Sequence, residues 1–173
     1  MWKIIQQLCE DIRGNLTVYE AVVLMMTALG SLRCHDKSRV IPVGYSMLLI
    51  LYITLLRRTP EYNEEIRYHI SFLPDVKVWT GNLLNVILYI PLGGTIYNMA
   101  ASIKGTAFAA LLSSVLCEII QYFTHRGVAD INDVLFNLIG ACAGALLFRA
   151  FRALRRKKTF NKLAVKCEIK HEE

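Results

Sequence analysis

Histidine and cysteine are scarce in this chain, with four and five copies in 173 residues, and neither is spaced for chemistry. Cys9, Cys34, Cys117, Cys142 and Cys167 are scattered and odd in number, with no CxxC or finger-type spacing. This argues against a zinc-finger site and against a disulfide framework. Cys117 and Cys142 sit in apolar runs and read as small core residues. No Ser–His or Cys–His pairing marks a nucleophilic hydrolase, and His125 is the single histidine near the other polar motifs. No metal and no other cofactor are expected. No cleavable signal peptide is expected, because the opening MWKIIQQLCEDIR carries charge where an apolar h-region would stand. Trp2, Ile5, Cys9 and Ile12 instead share one helical face, as in a short interfacial helix.

Charge of either sign is missing from long stretches. Residues 149–173 hold nine Lys or Arg and three acids, which equals the whole net charge of +6. The preceding 148 residues hold eleven of each sign. A basic segment beside a hydrophobic helix reads as facing anionic lipid, not nucleic acid.

What the chain has is hydrophobic residues, 54% of the total, against about 45–50% in soluble domains. They come in blocks. A bilayer core of ~30 Å needs about 20 largely apolar helical residues, and residues 82–99, 105–123 and 133–151 meet that standard. Residues 40–56, VIPVGYSMLLILYITLL, are slightly short but uncharged. Residues 16–32 contain Glu20 and read either as a fifth span, with Glu20 near one rim, or as a re-entrant segment. The expected fold is an all-α, polytopic transmembrane bundle of four or five spans. It divides into an N-terminal amphipathic segment with a candidate first span (1–39), a membrane domain (40–151) and a basic tail (152–173).

The distribution of Lys and Arg orients the bundle. With the tail cytoplasmic, thirteen basic residues fall inside and five outside, leaving Lys3 and Arg13 uncounted. The side of the N-terminus turns on whether residues 16–32 cross, and charge leaves that open.

In this topology the polar residues collect at the outer rim. Arg57 and Arg58 close one span, Asn85 lies near the start of the next, Glu118 and Gln121 end the third, and Asp133 and Asn137 begin the last, with Arg126 and Asp130 in the loop between. Glu118 and Gln121 are three apart and Asp133 and Asn137 four apart, so each pair shares a helix face. Polar groups are costly inside a membrane, so such a gathering marks either a bonded lock between helices or a polar pocket opening outward. Pro91 and Gly93 lie mid-span and read as a kink, lining a cavity or serving packing. Gly140 and Gly144 form GxxxG, a close-packing face. The loop 57–81 mixes four acids and four bases with large apolar residues, which reads as a lid lying on the pocket.

The same residues carry a family resemblance. An Arg closing one span is followed by Asn85 and Ile90-Pro91-Leu92-Gly93, then Glu118-Ile-Ile-Gln121, Arg126, and Asp130-Ile-Asn-Asp133-Val-Leu-Phe-Asn137-Leu-Ile-Gly140. This ordered run, over about residues 48–150, resembles the VanZ-like proteins; the first 40 residues and the basic tail fall outside the likeness. The resemblance implies a multi-pass protein of the bacterial cell membrane linked to lower susceptibility to teicoplanin and related lipoglycopeptides.

Three functions remain open from the residues. The first is an envelope protein whose outward pocket (Arg57 or Arg58, Asn85, Glu118, Gln121, Arg126, Asp130, Asp133, Asn137) binds or modifies a lipid-linked cell-wall precursor or a glycopeptide. Its arginines would pair with phosphate or carboxylate. The second is an intramembrane hydrolase or transferase with Glu118, Asp130 and Asp133 as general acid and base, or as oxygen ligands of a divalent ion. The third is a structural or partner-binding subunit of undetermined oligomeric state.

Overall fold

The computed structural model describes residues 20, 22, 23, 26, 27, 30, 40–56, 66–67, 76–126 and 128–171. Helix α1 covers Val40–Leu51 and continues as one π-helical turn, Tyr52–Leu56. A two-residue strand β1, Ile66–Arg67, precedes the long helices α2 (Val76–Ala100) and α3 (Ile103–Thr124). A second short strand β2, Ala129–Asp130, leads into α4, Ile131–His171. The described residues between 20 and 30 are also helical.

Among the described residues, three helices are long and apolar enough to cross a membrane: Thr80–Ala100, Ile103–Thr124 and Ile131–Arg156. They contain the expected spans 82–99, 105–123 and 133–151. The expected span 40–56 is present as a shorter apolar helix, Val40–Leu56. Within 16–32, Glu20 is helical and buried; whether that segment crosses lies outside the described residues. The fold is all-α, as a helical membrane bundle requires.

Helix α3 shows which solvent the bundle is built for. Its apolar residues Phe108, Leu112, Leu116, Ile119 and Phe123 are exposed, while Ser113, Ser114, Glu118 and Gln121 are buried. Phe123 is 74% exposed and Glu118 only 8%. In water that arrangement would put the hydrophobic effect in reverse. In hydrocarbon it places each polar group where a partner helix can bond it.

Helices α2 and α4 run parallel and touch through glycine. A Cβ placed on Gly140 would strike the Val86 carbonyl, one on Gly144 the Ile90 carbonyl, and one on Gly93 the Ala141 carbonyl. Backbone therefore meets backbone, the contact that small residues permit in membranes. Pro91 lies on this buried face and the helix runs on through it to Ala100. Ile50, Leu88, Tyr89, Leu92, Ile96, Ala110, Cys117 and Ala141 form the core where α1, α2, α3 and α4 meet.

The turn from α2 to α3 takes two residues. Ala101 adopts φ 53° and its N–H donates to the Tyr97 carbonyl at 2.8 Å. Ser102 then caps α3, its hydroxyl accepting from the Gly105 N–H at 3.1 Å. So short a connection makes α2 and α3 antiparallel neighbours. The far ends of α1 and α3 and the starts of α2 and α4 accordingly share one end of the bundle.

Candidate functional site: a polar cluster at one end of the bundle

The cluster is organised by the start of α4. Asp130 caps that helix, its Oδ1 accepting from the Asn132 backbone N–H and from Asn132 Nδ2, each at 2.8 Å. A carboxylate at a helix N-terminus meets unpaired N–H groups and the positive end of the helix dipole. The Asp130 N–H in turn donates to Glu118 Oε2 at 3.0 Å, which ties α3 to the cap of α4. One turn further on, Asp133 Oδ1 accepts from Asn85 Nδ2 at 2.6 Å, which ties α4 to α2.

The end of α3 is closed by a reverse turn. His125 takes φ 54°, with its N–H bonded to the Tyr122 carbonyl and the Arg126 N–H to the Gln121 carbonyl at 3.1 Å. This is a Schellman-type ending, which normally uses glycine at the left-handed position. It sends Arg126 back toward α1, where its Nη1 donates to the Leu55 carbonyl at 3.0 Å. Gln121 Nε2 reaches the Thr54 carbonyl at 3.4 Å. Both acceptors belong to the π-helical turn. A helix end leaves its last carbonyls without intrahelical partners, and a π turn changes their registration. Gln121 of α3 and Arg126 of the loop that follows it supply the missing donors.

Deeper in the bundle, Asn137 Nδ2 donates to Ser114 Oγ at 2.9 Å. Asn137 Oδ1 and Gln121 Oε1 are buried without a hydrogen-bond partner. Above the cluster, β1 pairs in parallel with β2, Ile66 opposite Ala129 and Arg67 opposite Asp130. The described part of the 57–81 loop between the two helices thus docks beside the capping aspartate.

The structure therefore brings Asn85, Glu118, Gln121, Arg126, Asp130, Asp133 and Asn137 to one end and one interior seam of the bundle. Arg57 and Arg58 lie outside the described residues. Among the described residues, no group of three His, Cys, Asp or Glu side chains stands close enough to hold a metal ion. Hydrogen bonds thus join α1, α2, α3 and α4 across the cluster. The unpartnered amide oxygens show that these bonds do not use all of its polar groups.

Reading the sequence alone missed Ser114, Asn132, Tyr89 and the carbonyls of the π turn. For two of these a signal existed: Ser114 stands four residues before Glu118, and Tyr89 four after Asn85, so each shares a helix face with a recognised motif residue.

Comparison with curated proteins and with solved structures gave no match. The sequence model of one family, described as VanZ/LLP1, matches residues 16–152. This corrects the narrower extent expected from the motifs, since the likeness begins ahead of residue 40 and takes in the uncertain first segment. The motif run lacked that segment because its apolar residues carry no polar signature to align. A match over well over half of the sequence decides the matter: the chain belongs to the VanZ/LLP1 family.

Proposed function

We propose that this VanZ-like membrane protein works in the bacterial cell envelope, contributing to resistance to teicoplanin and related lipoglycopeptides. In this reading the polar end of the bundle faces outward, with the C-terminal segment in the cytoplasm. It binds or modifies a lipid-linked cell-wall precursor or a glycopeptide there. The carrying observation is the convergence of Asn85, Glu118, Arg126, Asp130 and Asp133, from three helices and one loop, on a single end. Intramembrane ionisable groups are expensive and cluster at functional sites. Arg126 supplies a fork for phosphate or carboxylate, and the three acids supply acceptors for ammonium or hydroxyl groups.

A second reading is supported by the bonds themselves: a helix lock with no ligand. Deleting the gene and measuring the teicoplanin concentration that stops growth separates a resistance role from none. Glu118→Gln separates pocket from lock. In the pocket reading the variant accumulates normally and loses protection; in the lock reading its level in the membrane falls. An unchanged teicoplanin threshold after deletion counts against the resistance role.

A further inference from the structure

Beyond the ligand reading, and independent of it, the interior of the bundle holds a second polar site at mid-depth. Tyr89 on α2 is 1% exposed, and its hydroxyl faces Ser113, Ser114 and Cys117 of α3. It makes no hydrogen bond of proper geometry to any of them. Asn137 on α4 is 5% exposed; its amide nitrogen is used by Ser114, and its Oδ1 has no partner. Ser114 is thus the common neighbour of two orphaned polar atoms contributed by two different helices. On the same face of α3, Glu118 follows Ser114 by one turn and Gln121 by two, the latter with its own orphaned Oε1.

Orphaned polar atoms are costly, and most so in a bilayer, where lipid offers no hydrogen bonds. The chemistry of the orphans selects what would satisfy them. Tyr89 Oη can donate, and Asn137 Oδ1 can only accept. A partner for both must accept from a phenol and donate to an amide carbonyl. A bare cation cannot do the first, and a fully ionised anion cannot do the second. Water does both, and buried waters with two to four polar partners are a standard part of protein interiors.

We propose that Tyr89, Ser114 and Asn137 form an internal water-binding site. It continues along Glu118 and Gln121 as a hydrated seam between α3 and α4, reaching from the polar end to the middle of the membrane. The seam gives Glu118 a hydrogen-bonded route to a phenol and two serine hydroxyls inside the bundle.

Cys117 reports on the site directly, because its thiol lies beside the Tyr89 hydroxyl and is 3% exposed. The experiment follows exchange of the thiol S–H to S–D by infrared spectroscopy after transfer of reconstituted protein into D2O. It uses one variant retaining only Cys117 and another retaining only Cys142, the other cysteines replaced by serine. A hydrated seam exchanges Cys117 at least tenfold faster than Cys142, and Asn137→Leu or Tyr89→Phe in the Cys117-only background slows it severalfold. A Cys117 band that persists as long as that of Cys142 overturns the proposal. So does equal exchange of the two thiols that neither substitution alters, since that reports general opening of the bundle.

Discussion

Asn85 Nδ2 lies 2.6 Å from Asp133 Oδ1, a bond that joins α2 to α4 across 48 residues of sequence. Its shortness fits a charge-assisted contact. Beyond it, the same two helices meet through glycine at Val86–Gly140 and Ile90–Gly144. A polar clasp at one end and a backbone seam along the shaft therefore fix one helix pair. Each can be removed separately.

For the clasp, Asn85→Ala, Asp133→Ala and the double variant form a thermodynamic cycle. A coupling of about 1 kcal/mol is expected, toward the upper part of the range measured for hydrogen bonds between membrane helices. Unfolding in mixed detergent reads it, and a coupling near zero would show that the bond contributes nothing.

For the seam, position matters more than residue type. Gly93→Ala and Gly144→Ala each force a methyl group into a carbonyl of the opposing helix, and should cost roughly 1–3 kcal/mol through overpacking. Gly94 differs, because an added Cβ there meets Phe148 at 3.5 Å and the Gly144 carbonyl at 3.6 Å, which is ordinary contact. Gly94→Ala should be neutral or mildly stabilising, given the better helix propensity of alanine. Equal losses at all three positions in the same unfolding assay would contradict the close approach.

The turn after α3 gives a third test. His125 holds a left-handed conformation that glycine adopts at no steric cost and a β-branched residue adopts poorly. His125→Gly should leave stability within about 0.5 kcal/mol of the parent, while His125→Val should cost about 1–2 kcal/mol as local strain. Thermal unfolding in detergent measures both.

Arg126 offers the functional counterpart. Its guanidinium donates to the Leu55 carbonyl through Nη1, and its donors are set in a rigid planar fork that matches a phosphate or carboxylate. An ammonium lacks that geometry. If the proposed outward site acts on a phosphate- or carboxylate-bearing ligand, Arg126→Lys should lose most of the teicoplanin protection lost by Arg126→Ala, at equal protein level on immunoblot. Full activity of the lysine variant would mean that only the charge matters.

Much of the architecture was legible in the residues because bilayer thickness is so strict a constraint. Runs such as GTAFAALLSSVLCEIIQYF leave little choice of structure, and counting spans put Glu118 and Asp133 at the same end before any contact was known. The π turn was not legible. Tyr52-Ile-Thr-Leu-Leu56 fits an α-helix equally well, and what distinguishes it is the capture of Thr54 and Leu55 carbonyls by Gln121 and Arg126, about 70 residues away. Tyr89 escaped notice for a related reason. A tyrosine in an apolar run reads as core, and only the neighbouring helix reveals that its hydroxyl lacks a bond. The left-handed His125 was equally hidden, since histidine at that position gives no glycine signal.

The length of α4 has a mechanical consequence. Forty-one residues at 1.5 Å each make a rod of about 60 Å, twice the ~30 Å depth of the hydrocarbon layer. Arg149, Arg152, Arg155 and Arg156 stand where the rod leaves the apolar layer, with the Arg155 guanidinium over the Phe151 ring at 5.1 Å. The helix continues a further ~20 Å beyond them along the same axis. An unbroken helix of this kind is a mast: a small tilt of its footing at Asp130 would carry its far end through a wide arc.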